Sequence, residues 1–306
     1  MSKRKILLDC DPGHDDAIAI LLACFSSDLD LIGVTTCSGN QTVEKTTSNA
    51  NNLLNYFKRS DIPLVKGNPT PIKRPPRICP EIHGESGLDG FEFPPYELKD
   101  LGISACDFLI KEILENKDIA VVTTGPMTNL GLAIKKEPKI LKNIKEIVLM
   151  GGSTGEGNIT KAAEFNILVD PEAADICFSS GVPITMMGLN VTRKILVTDE
   201  VIKEAEKIKT RGGELFVKLM KVFNENQKNF FGLSAGPLHD PATIIYLINQ
   251  KVFIFDKMNV KIDVSNTDLA GKTICTYDEP KNVKVAIDVD LNEYWNEIYK
   301  HLRKCL

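Results

Sequence analysis

The strongest constraint on this chain is the alternation of apolar runs of strand length with stretches of helical periodicity. KILLDC is followed by AIAILLACF, LIGVTTC by TTSNANNLLNYF, IAVVTTG by NLGLAIKK and EIVLMGG by PEAADICF, before a further run, VPITMMGL. A strand separated from the next by a helix pairs with it in parallel, and the helices then cover both faces of the sheet. The runs are apolar almost throughout, as strands buried on both faces require. The expected fold class is therefore α/β, a single open, mostly parallel sheet flanked by helices. Near the end KVAIDVD reads as another strand, and LNEYWNEIYKHLRK as a closing amphipathic helix with Trp295 packed and His301 solvated. There is no internal repeat and no low-complexity linker, so residues 1–306 read as one catalytic domain.

Sheets of this kind gather ligands at the carboxyl ends of their strands. There the stretch Leu8 to Asp16, LDCDPGHDD, carries Asp9, Asp11, Asp15 and Asp16 directly behind the first apolar run. One aspartate at a helix start is explained as a cap. Four close carboxylates repel and raise one another's pKa unless a cation sits among them. The donor set is all oxygen, which selects Ca²⁺ or Mg²⁺ over zinc or copper. An EF-hand is excluded, because Ile20 stands where that loop closes on Glu.

Other strand ends are polar too. Asn40 follows LIGVTT, Thr124 precedes Gly125 and Pro126, Asn158 lies in STGEGN, and Glu164, Phe165 and Asn166 follow as EFN. Amides and carboxylates suit a polyhydroxylated ligand, although each of these residues is equally at home in a loop or a cap. His239 and Asp240 precede Pro241 at a helix start, where Asp240 either caps the helix or adds a fifth carboxylate. His83, in HGESG, reads as a binding or loop residue, and His14 lines the turn. The basic, proline-rich PIKRPPRICP is a loop, read as solvated surface ahead of an active-site flap.

Bulk properties narrow the partners. A net charge of −4 leaves no basic excess to neutralise a phosphate backbone, so no nucleic-acid partner is expected. MSKRKILLDCD lacks a signal-peptide apolar core and no later run is long enough to span a bilayer, which points to a cytoplasmic protein without membrane contact. The eight cysteines stand singly, without a C-x-x-C pair, and read as reduced core thiols rather than a zinc site.

With DCDPGHDD, TTGPMTN, AEFNILVDPEAA and HDP in this order, from Leu8 to about Ile244, the chain resembles the inosine–uridine type of nucleoside hydrolase. The resemblance implies a Rossmann-like open α/β fold, a bound Ca²⁺, assembly into a homo-oligomer (dimer or tetramer), and a role in nucleoside salvage. The implied reaction is hydrolysis of the N-glycosidic bond of ribonucleosides (inosine, uridine, cytidine or others) to ribose and free base. By motif, Asp11, Asp16 and Asp240, with the backbone carbonyl of Thr124, are similar to the metal ligands, and Asp9 supports their loop. Asp11 is also the implied general base and His239 the implied acid on the leaving base. Asp15, Asn40, Asn158, Glu164, Phe165 and Asn166 fall where the family binds ribose, and His83 where it lines the base pocket. Phe230 and Phe231 are both candidates for an aromatic group against the base.

The chemistry needs such residues. Breaking a ribose–base bond makes the sugar carbon oxocarbenium-like, so the sugar must be held, a water activated and the base stabilised as it leaves. One positioned proton donor or acceptor contributes about 10²- to 10⁴-fold, so much of the acceleration must come from contacts to the ribose hydroxyls. Two rivals remain at this level. A haloacid-dehalogenase-type phosphatase also uses strand–D-x-D, but it needs an acidic strand end where KEIVLMGG has glycines. A non-catalytic nucleoside- or sugar-binding protein would not require Asp11 and His239 together. Serine hydrolysis fails because HGESGL lacks the closing glycine of G-x-S-x-G.

Overall fold

A computed structural model describes residues 3–306. It contains a nine-stranded sheet built from β1 (Arg4–Cys10), β2 (Leu29–Thr36), β3 (Leu64–Val65), β4 (Ile119–Thr123), β5 (Ile144–Met150), β6 (Ile184–Met187), β7 (Phe253–Ile262), β8 (Thr273–Thr276) and β9 (Val283–Val289). The strand order is β3-β2-β1-β4-β5-β6-β9-β7-β8. Neighbours from β3 to β9 run parallel, while β7 lies antiparallel to β9 and β8 antiparallel to β7. The α/β expectation holds, and each apolar run quoted above forms the strand or helix expected of it. The antiparallel edge is an addition that the run pattern did not reveal.

Alternation along β1 divides its side chains between two cores. Ile6, Leu8 and Cys10 pack on one face with helix His14–Phe25, whereas Leu7 packs on the other with helix Thr128–Lys136. Burying such a side chain stabilises the fold by roughly 1.5 to 3 kcal/mol, and strands filled on both sides are held firmly enough to present their ends as a rigid platform.

The order also explains where a ligand belongs. β1 sits between β2 and β4, so the chain winds outward in one direction through β2 and in the other through β4. The crevice outside the strand ends at such a reversal is where open α/β sheets bind ligands. The aspartate-rich stretch leaves the sheet at this point.

One expectation fails. In the closing helix Leu291–Leu302, His301 is buried rather than solvated, on the same stripe as Tyr294, Ile298 and Leu302. Its Nδ1–H donates to the Glu297 carbonyl at 2.8 Å, which satisfies one ring nitrogen without water. Trp295 packs against the core, as expected. The proline-rich segment is also tied down. The Ile72 N–H donates to Asp170 Oδ2 at 2.8 Å, and Arg74 pairs with Glu172 at 3.0 Å while donating to the Val264 and Ser265 carbonyls. All eight cysteines are free, six of them buried. Among the described residues no helix is long and apolar enough to cross a membrane.

Candidate active site

After Cys10 the chain turns through Pro12 and Gly13, and helix His14–Phe25 opens with Asp15 and Asp16 in its first turn. Asp16 is heavily hydrogen-bonded. Its Oδ2 accepts the Gly13 N–H and the Asn40 amide, each at 3.0 Å, and its Oδ1 accepts the Thr124 hydroxyl at 2.7 Å. Asn40 also fixes Asp11, donating its backbone N–H to Oδ2 at 2.7 Å and its amide to the Asp11 carbonyl at 3.0 Å. Asp11 Oδ1 and Asp15 Oδ1 are enclosed and have no partner. Asp9 has its own partners, its Oδ1 taken up by the Thr35 hydroxyl at 2.7 Å and the Asn129 amide at 2.8 Å.

Asp240 decides between its two readings. It occupies the N-cap position of helix Pro241–Ile248, yet its carboxylate makes no capping hydrogen bond. Ligand oxygens of Asp15, Asp16 and Asp240 instead lie within 4.8 Å of one another, all three residues buried. Oxygens on opposite sides of a Ca²⁺ ion, each about 2.4 Å from it, are separated by about that span. This group contains Asp15 and not Asp11, whereas the motif resemblance names Asp11 as ligand and Asp15 as a ribose residue.

The electrostatics are those of a site built for a cation. No lysine or arginine forms an ion pair with any of these aspartates among the described residues. Burial pushes Asp15 up to about 7, with the neighbouring Asp16 charge adding to it. Burial and adjacent carboxylates carry Asp11 and Asp240 well above the usual range, and burial raises Asp16. Buried carboxylates with free oxygens, no basic partner and mutual repulsion fit a divalent metal held by oxygen.

A cavity of about 480 Å³ adjoins the cluster, within the usual size of a small-molecule site. Asp15, Asn40, Thr124 and Asp240 reach its wall, while Asp11 and Asp16 lie enclosed behind them. A second wall carries Asn158, Glu164, Phe165 and Asn166. Glu164 precedes the short helix Phe165–Val169 and accepts the N–H groups of Asn166 at 3.0 Å, Ile167 at 3.3 Å and Gly152 at 3.0 Å. Burial nevertheless pushes it up to about 7, because those donors only partly replace lost water. The Asn166 amide donates to the Thr124 carbonyl at 2.7 Å and so links this wall to the cluster. Asn158 Oδ1 accepts the Phe165 N–H at 3.0 Å.

Two histidines, His83 and His239, line the cavity, and His14 backs His83. The His14 N–H donates to His83 Nδ1 at 3.2 Å, so neutral His83 carries its proton on Nε2. His14 itself donates from Nε2 to the Asp89 carbonyl at 2.9 Å and stacks on His83, which makes it a support for the 84–90 loop. His239 is half-buried. Burial, with the Arg193 charge adding to it, pushes that ring down to about 3, so it is neutral near pH 7. Thus His239 must gain a proton before it can give one away.

Two further residues, Phe223 and Gln227, escaped the reading of motifs. Phe223, Gln227 and Phe231 line the cavity from one face of helix Arg211–Phe231, spaced four residues apart. Gln227 is buried with its Oε1 unpartnered. The stretch FVKLMKVFNENQKNFF has the helical period that could have revealed this face, although nothing in it marks Gln227 as more than a surface amide. Of the two aromatic candidates, Phe231 reaches the cavity, and Phe230 packs edge-on against it.

Residues 6–296 match the family described as inosine-uridine preferring nucleoside hydrolase. The chain belongs to that family. Among curated nucleoside hydrolases, the pyrimidine-specific ribonucleoside hydrolase RihB of Escherichia coli (strain K12 / DH10B) is 41% identical over 308 residues, covering 99% of this chain and 98% of that protein. Two solved structures share the fold across 99% of each chain. A plant nucleoside hydrolase, PpNRh1, superimposes with a TM-score of 0.93 at 30% identity. The purine-preferring ribonucleoside hydrolase from Gardnerella vaginalis does so with a TM-score of 0.92 at 32% identity. The nucleoside hydrolase chain is thus an N-ribosyl hydrolase, and the phosphatase and simple-binder readings fall away. The family is one of metal-dependent hydrolases, and the acidic cluster could bind a metal ion.

Proposed function

We propose that this protein hydrolyses ribonucleosides to ribose and free base with Ca²⁺ as its ion, in nucleoside salvage, and that pyrimidine ribonucleosides are its better substrates. The observation that carries the reading is the buried carboxylate cluster, without a basic partner, on the wall of a nucleoside-sized cavity. The pyrimidine preference rests on the 41% identity to a pyrimidine-specific relative over nearly the whole chain. Asp16, Asp240 and the Thr124 carbonyl would hold the ion, together with Asp11 or Asp15. A divalent cation there supplies positive charge that keeps the carboxylates ionised, engages sugar hydroxyls and acidifies water.

The remaining steps belong to the chain. Asp11 Oδ1, the free oxygen of a carboxylate whose other oxygen is fixed by Asn40, takes the proton from the water that attacks the anomeric carbon. Asp15 and Asn40 hold ribose hydroxyls from the cluster side, and Asn158, Glu164, Phe165 and Asn166 hold the far side of the sugar. These contacts strengthen as positive charge grows on the ring. The base lies against Phe223 and Phe231 with the Gln227 amide and the His83 N–H at its polar edge. His239 Nε2 takes up a proton and hands it to the departing base.

We further read residues 1–306 as one catalytic domain of a cytoplasmic homo-oligomer, in keeping with its eight free cysteines. Light scattering of the purified protein tests the assembly.

The test of function is release of reducing sugar from uridine, cytidine and inosine by the protein as isolated, after chelation, and after calcium is restored. Release lost on chelation, recovered with calcium and fastest with the pyrimidines is the expected result. No release from any nucleoside by the folded, calcium-loaded protein overturns the reading.

A further inference from the structure

His239 reaches the cavity from a segment held on both sides. The Leu238 N–H donates to the Ile195 carbonyl at 2.8 Å, and the Val197 N–H donates to the Gly236 carbonyl at 2.9 Å. With the backbone laddered, the ring's remaining freedom is its tautomer and its rotation. The short helix Leu189–Thr192 meets both. His239 Nδ1 lies 2.7 Å from the Thr192 hydroxyl oxygen. The Gly188 carbonyl, four residues back at 3.3 Å, is an acceptor for the hydroxyl's own proton, and a hydroxyl so turned leaves its oxygen to accept from the ring. In that arrangement the bond runs from Nδ1–H to Oγ1, and Nε2, which is not among the enclosed unpartnered atoms, keeps its lone pair on the cavity side. The turn itself cannot drift. Arg193 donates to the Glu156 carbonyl at 3.2 Å and the Gly157 carbonyl at 2.6 Å, and the Leu189 N–H donates to the Gly152 carbonyl at 2.9 Å.

We propose that Thr192 is a positioning residue, whose hydroxyl locks His239 in the Nδ1–H tautomer so that the nitrogen able to carry a proton to the leaving base is the one facing it. In the other tautomer Nε2 already holds the hydrogen of a neutral ring, a far weaker acid than an imidazolium, and the loading site faces the protein. The proposal rests on the reading of His239 as the group that serves the leaving base. It predicts that Thr192 matters only where the base needs a proton.

The experiment uses the full-length, calcium-loaded protein and its variants Thr192→Val and Thr192→Ser. Side-chain ¹⁵N spectra, with His239 assigned by its disappearance in His239→Gln, report the tautomer directly. Expected are protonation at Nδ1 in the wild type and in Thr192→Ser, and its loss or mixing in Thr192→Val. In parallel, Thr192→Val lowers kcat on uridine about 10- to 100-fold with KM changed less than threefold, and Thr192→Ser restores it to within a few-fold. Hydrolysis of a nitrophenyl riboside, whose phenolate leaves without a proton, changes less than threefold in either variant. A wild-type ring protonated at Nε2 overturns the proposal without any variant, as does an unchanged tautomer in Thr192→Val. Equal losses on uridine and the aryl riboside would show Thr192 to be merely structural. A wild type that hydrolyses the aryl riboside but no nucleoside would sink the reading of His239, and the spectra would still judge the tautomer lock.

Discussion

Glu164→Gln separates what a buried carboxylate does for binding from what it costs in stability. In the fold burial pushes Glu164 up to about 7, while an unfolded chain titrates it near 4.3. A raised acid is a proton held more tightly by the folded state, so stability falls as pH rises from about 4.3 to about 7 and is level above. At about 1.4 kcal/mol per pH unit, the full loss is roughly 3 to 4 kcal/mol. The amide has no such titration. It also cannot accept all three N–H groups that the carboxylate takes from Gly152, Asn166 and Ile167, and one orphaned donor costs about 1 to 3 kcal/mol at every pH. Absolute stabilities therefore mix two effects, whereas their pH dependence isolates one. Urea unfolding of both proteins, calcium-loaded, between pH 5 and pH 8 should show the wild type losing roughly 3 kcal/mol more than Glu164→Gln over that interval. The other titrating groups are common to both chains and cancel in the difference. Parallel curves would refute the argument and mean that the three N–H donors hold Glu164 ionised throughout. The same variant should raise KM for uridine through the weakened hold on ribose.

Metal removal should lower the melting temperature. At calcium 100-fold above its Kd, binding stabilises by about 2.7 kcal/mol, and 306 residues at about 2.1 cal/mol/K each convert that to about 4 °C; a Tm indifferent to chelator and calcium would remove the ion from the cluster. Loss of one hydroxyl contact to a charged site is worth about 1.5 to 3 kcal/mol, so kcat/KM for 2′-deoxyuridine should fall about 10- to 150-fold below that for uridine, and equal turnover would show the sugar to be held elsewhere. At Gly39 an added Cβ would stand 2.1 Å from Asp11 Oδ2 and 2.9 Å from Pro126. Gly39→Ala should cost at least about 100-fold in kcat while circular dichroism stays unchanged, as expected for loss of one proton acceptor; near-normal kcat would deny Asp11 the role of base.

How much of this was legible follows from where each signal is stored. Parallel strands buried on both faces are continuous apolar runs, and KILLDC or IAVVTT cannot be mistaken for surface. β7 carries Asp256 at a half-exposed and Lys257 at an exposed position near the sheet's antiparallel edge, so FIFDKMNVKI has no such signature. The aspartates stood out because clustered carboxylates are an anomaly in the sequence itself, visible before any contact is known. Asp240 was ambiguous for the complementary reason. A helix-start aspartate is ordinary, and only the unused capping bond reveals that its carboxylate serves the cluster. Thr192 and Gln227 were invisible by the same logic. A threonine at a helix end satisfies itself locally, and a single glutamine on an otherwise apolar helix face gives no sign of what it meets, until tertiary structure brings His239 to one and leaves the Oε1 of the other buried without a partner. His301 marks the boundary, since a histidine on the shoulder of an apolar stripe can go inward where one ring nitrogen finds a partner, as Nδ1 does in the Glu297 carbonyl. In this chain, therefore, the groups whose charge is costly to bury announced themselves, and the groups that orient them did so only through their partners.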